Sequence, residues 1–206
     1  MKYKAIIYDL DGTLLDTIAM NMYPLIKVIK EQTGIEKTYD EVKHYFSYTG
    51  IKVMEDLGFD YESVYPTWVK YVNEYPEPAK PFDGVYELLE EVKKRGYIQA
   101  VVSSKALKQY LIDVDEKLDA YMQIKVLEED TAEHKPSPAP FLCALEKLHL
   151  NKDEVLYVGD AIVDKRGCEN AGIDFVWANW IGLEHEELST CTMITHPLQL
   201  LDLLEE

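Results

Sequence analysis

The chain has 206 residues, of which 47% are hydrophobic, and its formal net charge is −17 at pH 7. This length fits one domain of ordinary size or a domain with a smaller insert, and the hydrophobic fraction is typical of a globular protein. The acidic excess argues against nucleic acid as a partner, because binding to it depends on phosphate neutralisation by Lys and Arg.

The first predicted element is a buried strand over residues 4–8, which leads into the sequence DLDGTLLDT. Two carboxylates, Asp9 and Asp11, stand at its carboxyl end and are followed directly by Gly12 and Thr13. Taken alone, such a segment also fits a turn in which the carboxylates bond to the backbone. A calcium loop does not fit, because Gly12 comes too early after Asp9.

Between about Asp16 and Lys80 the sequence patterns predict helices and no strand. The predicted helical stretches are Ala19–Thr33, Tyr39–Phe46, Lys52–Leu57 and Tyr61–Glu74. Pro24 should either kink the first of these helices or make it start later. The three prolines of YPEPAKPF indicate a stiff linker at the end of the region. We therefore predict a helical insert after the first strand.

Further along the chain, strand and helix patterns alternate. Strands are expected at Tyr97–Val102, Ile124–Leu127, Val155–Val158, Phe175–Ala178 and Thr192–Ile194. Helices are expected at Gly84–Arg95 and at Pro138–Leu148, the second with Ser137 as its cap. This alternation predicts an α/β fold with a parallel sheet covered on both faces.

The cysteines and the start of the chain predict a cytoplasmic protein. Cys143, Cys168 and Cys191 contain no Cys-x-x-Cys pair, so we expect reduced thiols and no zinc site. The apolar run before Asp9 is too short for a signal peptide or a membrane span. No membrane partner is therefore expected.

Polar residues follow the predicted strands, at the edge where parallel sheets bind ligands. They are Asp9, Asp11, Ser103, Ser104, Asp160 and Asp164, with Lys135 in the loop HKPSPAP. Each has a structural explanation when it is taken alone: a strand-end hydroxyl, a helix cap or a solvated charge. Their order and placement together predict one site at the edge of the sheet.

The chemistry of this set suits phosphoryl transfer. Asp9 can attack phosphorus to give an aspartyl-phosphate. Asp11 can protonate the leaving alcohol and then activate the hydrolytic water. Gly12 lets the backbone approach a phosphate closely, and the N–H groups around it, including that of Thr13, can cradle the anion.

A phosphate dianion approaching Asp9 requires positive charge nearby. Mg2+ prefers oxygen ligands, and Asp9 and Asp160 are the natural direct ligands, with Asp164 orienting them. Lys135 would hold the phosphate against Asp9, and Ser103 would donate a hydrogen bond to a phosphoryl oxygen. The sequence therefore predicts Mg2+ as the cofactor.

Four segments in order, DLDGTLLDT, VVSSK, HKPSPAP and VGDAIVDKRGCENAG, resemble the motifs of the haloacid dehalogenase-like hydrolase superfamily. The resemblance implies a Rossmann-like three-layer core formed by residues 1–15 and 81–206. It also implies an all-helical cap domain over residues 16–80, inserted after the first motif. The predicted domain organisation is therefore a split catalytic core with a cap.

The resemblance also assigns roles to single residues. It implies that Mg2+ is bound by the carboxylates of Asp9 and Asp160 and by the main-chain carbonyl of Asp11. Ser103 and Lys135 would bind the phosphate. The roles it implies for Asp9, Asp11 and Asp164, as nucleophile, acid/base and supporting acid, match those argued from their chemistry.

Three residues depart from the family pattern: Ser104 stands where Asn is frequent, Ala161 replaces a small hydroxyl residue, and Cys168 replaces Ala. Ser104 remains a candidate phosphate ligand, although this change can loosen a contact there. Asp11 favours phosphate esters over the dehalogenase reaction, which has no alcohol to protonate. Gly159 favours a phosphatase over a mutase, because mutases tend to carry an acidic pair in this motif. As a whole, the chain is similar to the phosphoglycolate phosphatase-like branch.

Two alternatives stay open at this point: a β-phosphoglucomutase-like sugar-phosphate mutase, and a catalytically silent binding protein. The segment HYFSYTGIKVMEDLG resembles the substrate-facing part of the family's cap. Tyr48, Thr49, Gly50 and Lys52 are its candidate substrate residues, and Lys52 could meet an anionic group. The expected partner is a small phosphorylated metabolite, and the expected assembly is a monomer or a homodimer.

Overall fold

The computed structural model describes residues 2–204. The strands within this range are β1 (Ala5–Tyr8), β2 (Leu15–Asp16), β3 (Lys80–Pro81), β4 (Ile98–Val102), β5 (Ile124–Val126), β6 (Val155–Gly159), β7 (Asp174–Ala178) and β8 (Thr192–Ile194). The α-helices are α1 (Ile18–Thr33), α2 (Tyr39–Val42), α3 (Gly50–Leu57), α4 (Tyr61–Asn73), α5 (Val85–Lys94), α6 (Leu107–Asp113), α7 (Glu116–Asp119), α8 (Ala139–Leu148), α9 (Ile162–Ala171) and α10 (Leu200–Leu203). Among these helices, none combines the length and the apolar character that a membrane span requires.

Six strands of the described residues form one parallel sheet, in the order β5-β4-β1-β6-β7-β8. β1 lies in its middle, where Ile7 is aligned with Ala100 of β4 and with Tyr157 of β6. All residues of β1 and β6 are buried, as expected for strands that are covered on both faces. The predicted α/β fold with a parallel sheet is confirmed.

Helices α8 and α9 pack closely on one face of this sheet. The ring of Phe141 on α8 meets the ring of Tyr157 on β6 edge to face, with 5.0 Å between their centroids. A Cβ atom at Gly167 of α9 would collide with the same Phe141 ring. The Ser137 hydroxyl accepts a hydrogen bond at 3.2 Å from the amide of Ala139, the first residue of α8. The cap residue of α8 is Pro138, so the predicted cap at Ser137 lies one residue too early.

The chain divides into two compact units. One runs through Asp16 and resumes at Lys80, and the other is Thr17–Ala79. The second unit consists of α1 to α4 and their connections. Within it, the indole of Trp68 on α4 donates a hydrogen bond at 2.9 Å to the carbonyl of Asn21 on α1.

Three local features of the structure can be compared with the sequence predictions: Pro24 in α1, the pair of β2 and β3, and the cysteines. The helix α1 passes through Pro24 and does not start later. Strands β2 and β3 form a short antiparallel pair that the sequence did not predict, because two-residue strands carry no hydrophobic period. The cysteines Cys143, Cys168 and Cys191 are free thiols, as expected.

Candidate active site

The site is built where three neighbouring strands end. Asp9 directly follows β1, and its amide donates a hydrogen bond to the carbonyl of Val158 at 2.9 Å. Ser103 follows β4 and Asp160 follows β6. All three side chains are buried. Because the strands are parallel, their carboxyl ends meet at the same edge and bring these polar groups together.

Lys135 lies inside this cluster rather than in solvent. Its Nζ is 2.7 Å from Oδ1 of Asp9 and 2.7 Å from Oδ1 of Asp164, and only 4% of the Lys135 side chain is exposed. The same Nζ donates to the Tyr157 hydroxyl at 2.9 Å and to the carbonyl of Val102 at 3.1 Å. Lys135 is therefore a component of the site, and its reading as a solvated charge is wrong.

Burial governs the electrostatics of this cluster. It raises the pKa of Asp9 to about 7, although Lys135 pulls this pKa in the opposite direction. Burial also raises the pKa of Asp160, and the negative charges of Asp164 and Asp9 add to the rise. Burial opposes the charged form of Lys135, but the two carboxylates outweigh it and raise the lysine pKa. In their ionised forms, the three carboxylates of Asp9, Asp160 and Asp164 carry more negative charge than Lys135 can balance.

The donor set fits a divalent cation. Carboxylate oxygens of Asp9, Asp160 and Asp164 lie within 4.8 Å of one another. Buried carboxylates are the ligands that hard divalent cations prefer, and such an ion would offset their excess charge.

Asp164 is engaged differently from the other two carboxylates. Its Oδ1 accepts hydrogen bonds from Lys135 and from the Tyr157 hydroxyl, the latter at 3.0 Å. Its Oδ2 accepts from the amide of Ala161 at 3.1 Å. Because both oxygens are already bonded to protein donors, this geometry favours a supporting role for Asp164 over direct metal ligation.

Gly159 makes room for this arrangement. A Cβ atom at this position would stand 2.6 Å from Oδ2 of Asp164, which is far inside van der Waals contact. An acidic side chain before Asp160 would therefore displace Asp164 from its present position. Close packing against Asp164 therefore explains why position 159 is glycine rather than an acidic residue.

The turn after β1 uses its amides internally. Gly12 has a φ of +80°, a conformation that glycine adopts without strain. Its N–H donates to the carbonyl of Leu15 at 2.8 Å, and the N–H of Thr13 donates to that of Leu10 at 3.2 Å. The Thr13 hydroxyl donates to Oδ1 of Asp160 at 3.2 Å. Phosphate binding by Gly12 and Thr13 stays a prediction.

Two tryptophans hold the loops that carry the acidic residues. The indole N–H of Trp177 donates to the carbonyl of Asp160 at 3.2 Å, and that of Trp180 donates to the carbonyl of Thr13 at 2.9 Å. Both come from β7 and the residues just after it. Residues of one segment, around the end of β7, therefore anchor both the loop with Thr13 and the loop with Asp160.

Four residues that contact the site were not predicted from the sequence: Tyr157, Trp177, Trp180 and Lys105. Tyr157 interrupts a continuous apolar strand with a hydroxyl, which is a signal that a buried polar partner exists. Lys105 directly follows the two serines of VVSSK, and its Nζ lies 3.2 Å from Oδ1 of Asp11. The sequence gives no comparable signal for the two tryptophans. Each indole donates to a main-chain carbonyl of a distant segment, and such a partner leaves no trace in the local sequence.

The remaining predicted residues lie outside the carboxylate cluster. Ser104 is exposed. In the helical unit, the Thr49 hydroxyl caps α3 by accepting from the amide of Lys52 at 3.2 Å. Lys52 pairs with Asp56 at 2.6 Å. A Cβ atom at Gly50 would collide with the ring of Tyr65 on α4. These contacts give Thr49, Gly50 and Lys52 local structural roles, and their contact with a substrate stays a prediction.

Comparison with known proteins identifies the family. The model of the family described as haloacid dehalogenase-like hydrolase matches residues 6–178. A protein of Caldanaerobacter subterraneus subsp. tengcongensis, provisionally named pyrophosphatase PpaX, is 33% identical over 197 residues, covering 91% of this chain and 87% of the relative. The phosphoglycolate phosphatase of Aquifex aeolicus is 33% identical over 185 residues, covering 86% of this chain and 85% of the relative.

The fold has close structural counterparts. A Lactobacillus plantarum protein, provisionally named as a phosphoglycolate phosphatase, superimposes with a TM-score of 0.85 at 21% identity, over 98% of this chain and all (100%) of that one. At this identity the likeness describes the fold alone. Because the family model matches most of the chain, the chain belongs to the haloacid dehalogenase-like hydrolases and is an enzyme of the hydrolase class.

Proposed function

We propose that the protein is a Mg2+-dependent phosphatase that hydrolyses a small organic phosphomonoester through a phosphorylated Asp9. The observation that carries this proposal is the position of Asp9, buried at the end of the central strand with the Nζ of Lys135 at 2.7 Å. A second acid, Asp11, stands two residues further on. The relatives that are named phosphatases support the same reaction class.

In the first step, a carboxylate oxygen of Asp9 forms a bond to phosphorus. The bond between phosphorus and the ester oxygen breaks, and its electron pair stays on that oxygen. Asp11 delivers its proton to the same oxygen, so that the product leaves as a neutral alcohol. The enzyme now holds an acyl phosphate on Asp9 and a carboxylate on Asp11.

In the second step, Asp11 takes a proton from a water molecule as the water oxygen attacks phosphorus. The bond between phosphorus and Asp9 breaks, and inorganic phosphate leaves. Asp11 is protonated again and Asp9 is a free carboxylate, so the cycle is closed. One residue thus serves as acid and then as base.

Positive charge near Asp9 is essential to both steps. Lys135 already contacts Asp9, and a phosphoryl group bonded to Asp9 would lie within its field. Ser103 at the end of β4 is the proposed hydroxyl donor to a phosphoryl oxygen, with Ser104 as a further donor. Gly12 and Thr13 are further proposed phosphate contacts, and their N–H groups would have to exchange the carbonyls of Leu15 and Leu10 for the phosphate. These donors would stabilise the charge of the transferring group.

Mg2+ is the cation that we propose for the carboxylate cluster. Asp9, Asp160 and the main-chain carbonyl of Asp11 would hold it, with Asp164 as a supporting acid. When bound, the cation would neutralise charge between the phosphate and the carboxylates. The excess of carboxylates over lysine in this cluster supports the assignment.

We propose that residues of the helical unit determine substrate specificity. Tyr48, Thr49, Gly50 and Lys52 lie in or beside α3 of this unit and are the candidate substrate residues. Catalysis would then belong to the unit that holds the sheet, and selection to the unit Thr17–Ala79. The substrate class is a small phosphorylated metabolite.

The test is phosphate release from a panel of phosphomonoesters, measured with Mg2+ and with a chelator. Inorganic pyrophosphate belongs in the panel, because one relative at 33% identity carries a pyrophosphatase name. We expect Mg2+-dependent release that Asp9→Asn abolishes. The control is Asp174→Asn, which makes the same change at an exposed carboxylate paired with Lys2.

Other outcomes would replace the proposal. Full activity of Asp9→Asn would overturn the phosphorylated intermediate. Conversion of a sugar phosphate into its isomer without net phosphate release, after priming with a sugar bisphosphate, would instead identify a mutase. Binding of small phosphates with Mg2+ but without turnover of any panel member would identify a silent binding protein.

A further inference from the structure

A second buried lysine lies on the other side of the acidic motif. The Nζ of Lys105 is 3.2 Å from Oδ1 of Asp11 and 2.5 Å from Oδ2 of Asp113. The Lys105 side chain is 8% exposed and that of Asp113 is 4% exposed, whereas that of Asp11 is 34% exposed. The three charges thus run from a buried end at Asp113 to an accessible end at Asp11.

The protein holds Lys105 firmly in this position. Asp113 at the end of α6 also accepts hydrogen bonds from Nε2 of Gln109 at 3.0 and 3.1 Å. The backbone amide of Lys105 donates to the Ser103 hydroxyl at 3.3 Å, and its carbonyl accepts from the amide of Glu128 at 3.1 Å. Both ends of the lysine are therefore anchored, and its Nζ has little freedom to leave Asp11.

Asp113 also fixes the direction of the lysine side chain. Its Oδ2 lies 2.5 Å from the Nζ that contacts Asp11. Lys105 therefore presents Asp11 with a directed N–H donor.

We propose that Lys105 is a positioning residue that orients the carboxyl group of Asp11 for proton transfer to the leaving oxygen. The inference rests on the proposed phosphatase function. Because Nζ engages Oδ1, the proton leaves from Oδ2 of Asp11 as the bond between phosphorus and the ester oxygen breaks and its electrons pass to that oxygen. The alcohol departs neutral, and Asp11 remains a carboxylate still bonded to Lys105.

The experiment varies the leaving group. A nitrophenolate ion leaves without protonation, whereas ethoxide requires it, so only the alkyl ester depends on a well-placed Asp11. The value of kcat/KM reports the steps up to departure of the leaving group and excludes the later hydrolysis of the intermediate. The substrates are p-nitrophenyl phosphate, phenyl phosphate and ethyl phosphate, each with Mg2+ present.

The variants are Lys105→Met and, as the matched control, Asp113→Asn. We expect Lys105→Met to lower kcat/KM for ethyl phosphate by about 10- to 100-fold and for p-nitrophenyl phosphate by about threefold or less. Asp113→Asn keeps Lys105 beside Asp11 and should lower all three values by a similar small factor. If Lys105→Met fails to fold because Asp113 is left unpaired, the double variant Lys105→Met/Asp113→Asn removes that charge and takes its place.

The outcomes separate this inference from the proposed function. Equal losses of Lys105→Met on all three esters would give Lys105 a merely structural role and overturn the inference, while the phosphatase would stand. The inference would also be overturned if the loss of kcat/KM in Asp113→Asn depended on the leaving group as strongly as the loss in Lys105→Met. A wild-type protein that releases no phosphate from any ester would refute the proposed function, and the role of Lys105 would fall with it.

Discussion

Two sets of charged residues in this molecule differ in how the protein holds them. At the sheet edge, Lys135 and its partner Asp164 are almost completely buried. On α3 of the helical unit, the pair of Lys52 and Asp56 is exposed, at 47% and 35%. A buried pair keeps its geometry because its loss leaves an uncompensated charge, whereas an exposed pair contributes little and reorients freely.

This difference bears on our proposal that catalysis belongs to the sheet edge and substrate selection to the helical unit. Groups that transfer protons and phosphoryl groups must be held within fractions of an ångström, and the sheet edge provides this through packing and multiple hydrogen bonds. Exposed side chains on a short helix can exchange a protein partner for a ligand at small cost. We therefore expect substitutions in the two sets to have effects of very different size.

The largest effect should come from Lys135→Met. This change leaves Asp9 and Asp164 without their shared cation, so the free energy of unfolding should fall by about 3 kcal/mol or more. Urea denaturation measures this value. In Lys52→Met, the matched control from the exposed pair, the loss should be at most about 1 kcal/mol. Equal losses in the two variants would remove the distinction between the two sets.

The next effect concerns metal binding. With Mg2+ at about 100 times its dissociation constant, the native protein should gain about 2.7 kcal/mol and melt roughly 5 °C or more higher. A chelator should reverse the shift. Asp160→Asn should lose most of the shift, and Lys52→Met should keep it. A melting temperature that Mg2+ does not change would contradict the proposed cation site.

A smaller effect is expected from Gly50→Ala in the helical unit. Alanine normally stabilises a helix relative to glycine, but here the new methyl group would collide with the Tyr65 ring, which stacks on Tyr61 with 4.6 Å between centroids. We expect a net loss of about 1–3 kcal/mol in urea denaturation. Ile51→Ala, at an exposed neighbouring position, serves as the control. A gain in stability would show that the Tyr65 ring moves aside readily.

The smallest of these effects should follow Thr49→Ala. Loss of the helix cap on α3 should cost about 1 kcal/mol, and Thr49→Ser should restore it. The KM for the best panel substrate distinguishes this structural role from the predicted substrate contact. A changed stability with an unchanged KM would remove Thr49 from the substrate residues and leave it as a cap.

The central strands and the position of the polar site could be predicted from local sequence patterns. Continuous apolar runs such as VLYV predicted the central strands, because a strand that is buried on both faces needs apolar side chains in both directions. The polar residues after those strands were predicted to meet, and the structure brings Asp9, Asp160, Asp164 and Lys135 together. The short pair of β2 and β3 had no comparable signal.

The sequence by itself determined the alternating α/β architecture, the helical character of the insert and the order of the motifs, since each depends on neighbouring residues. Only the tertiary structure decided which distant groups meet. Lys135 and Asp9 are 126 positions apart, and Lys105 is bonded to both Asp11 and Asp113. Contacts of this kind, and the raised pKa of Asp9, exist only once packing has excluded water from the sheet edge.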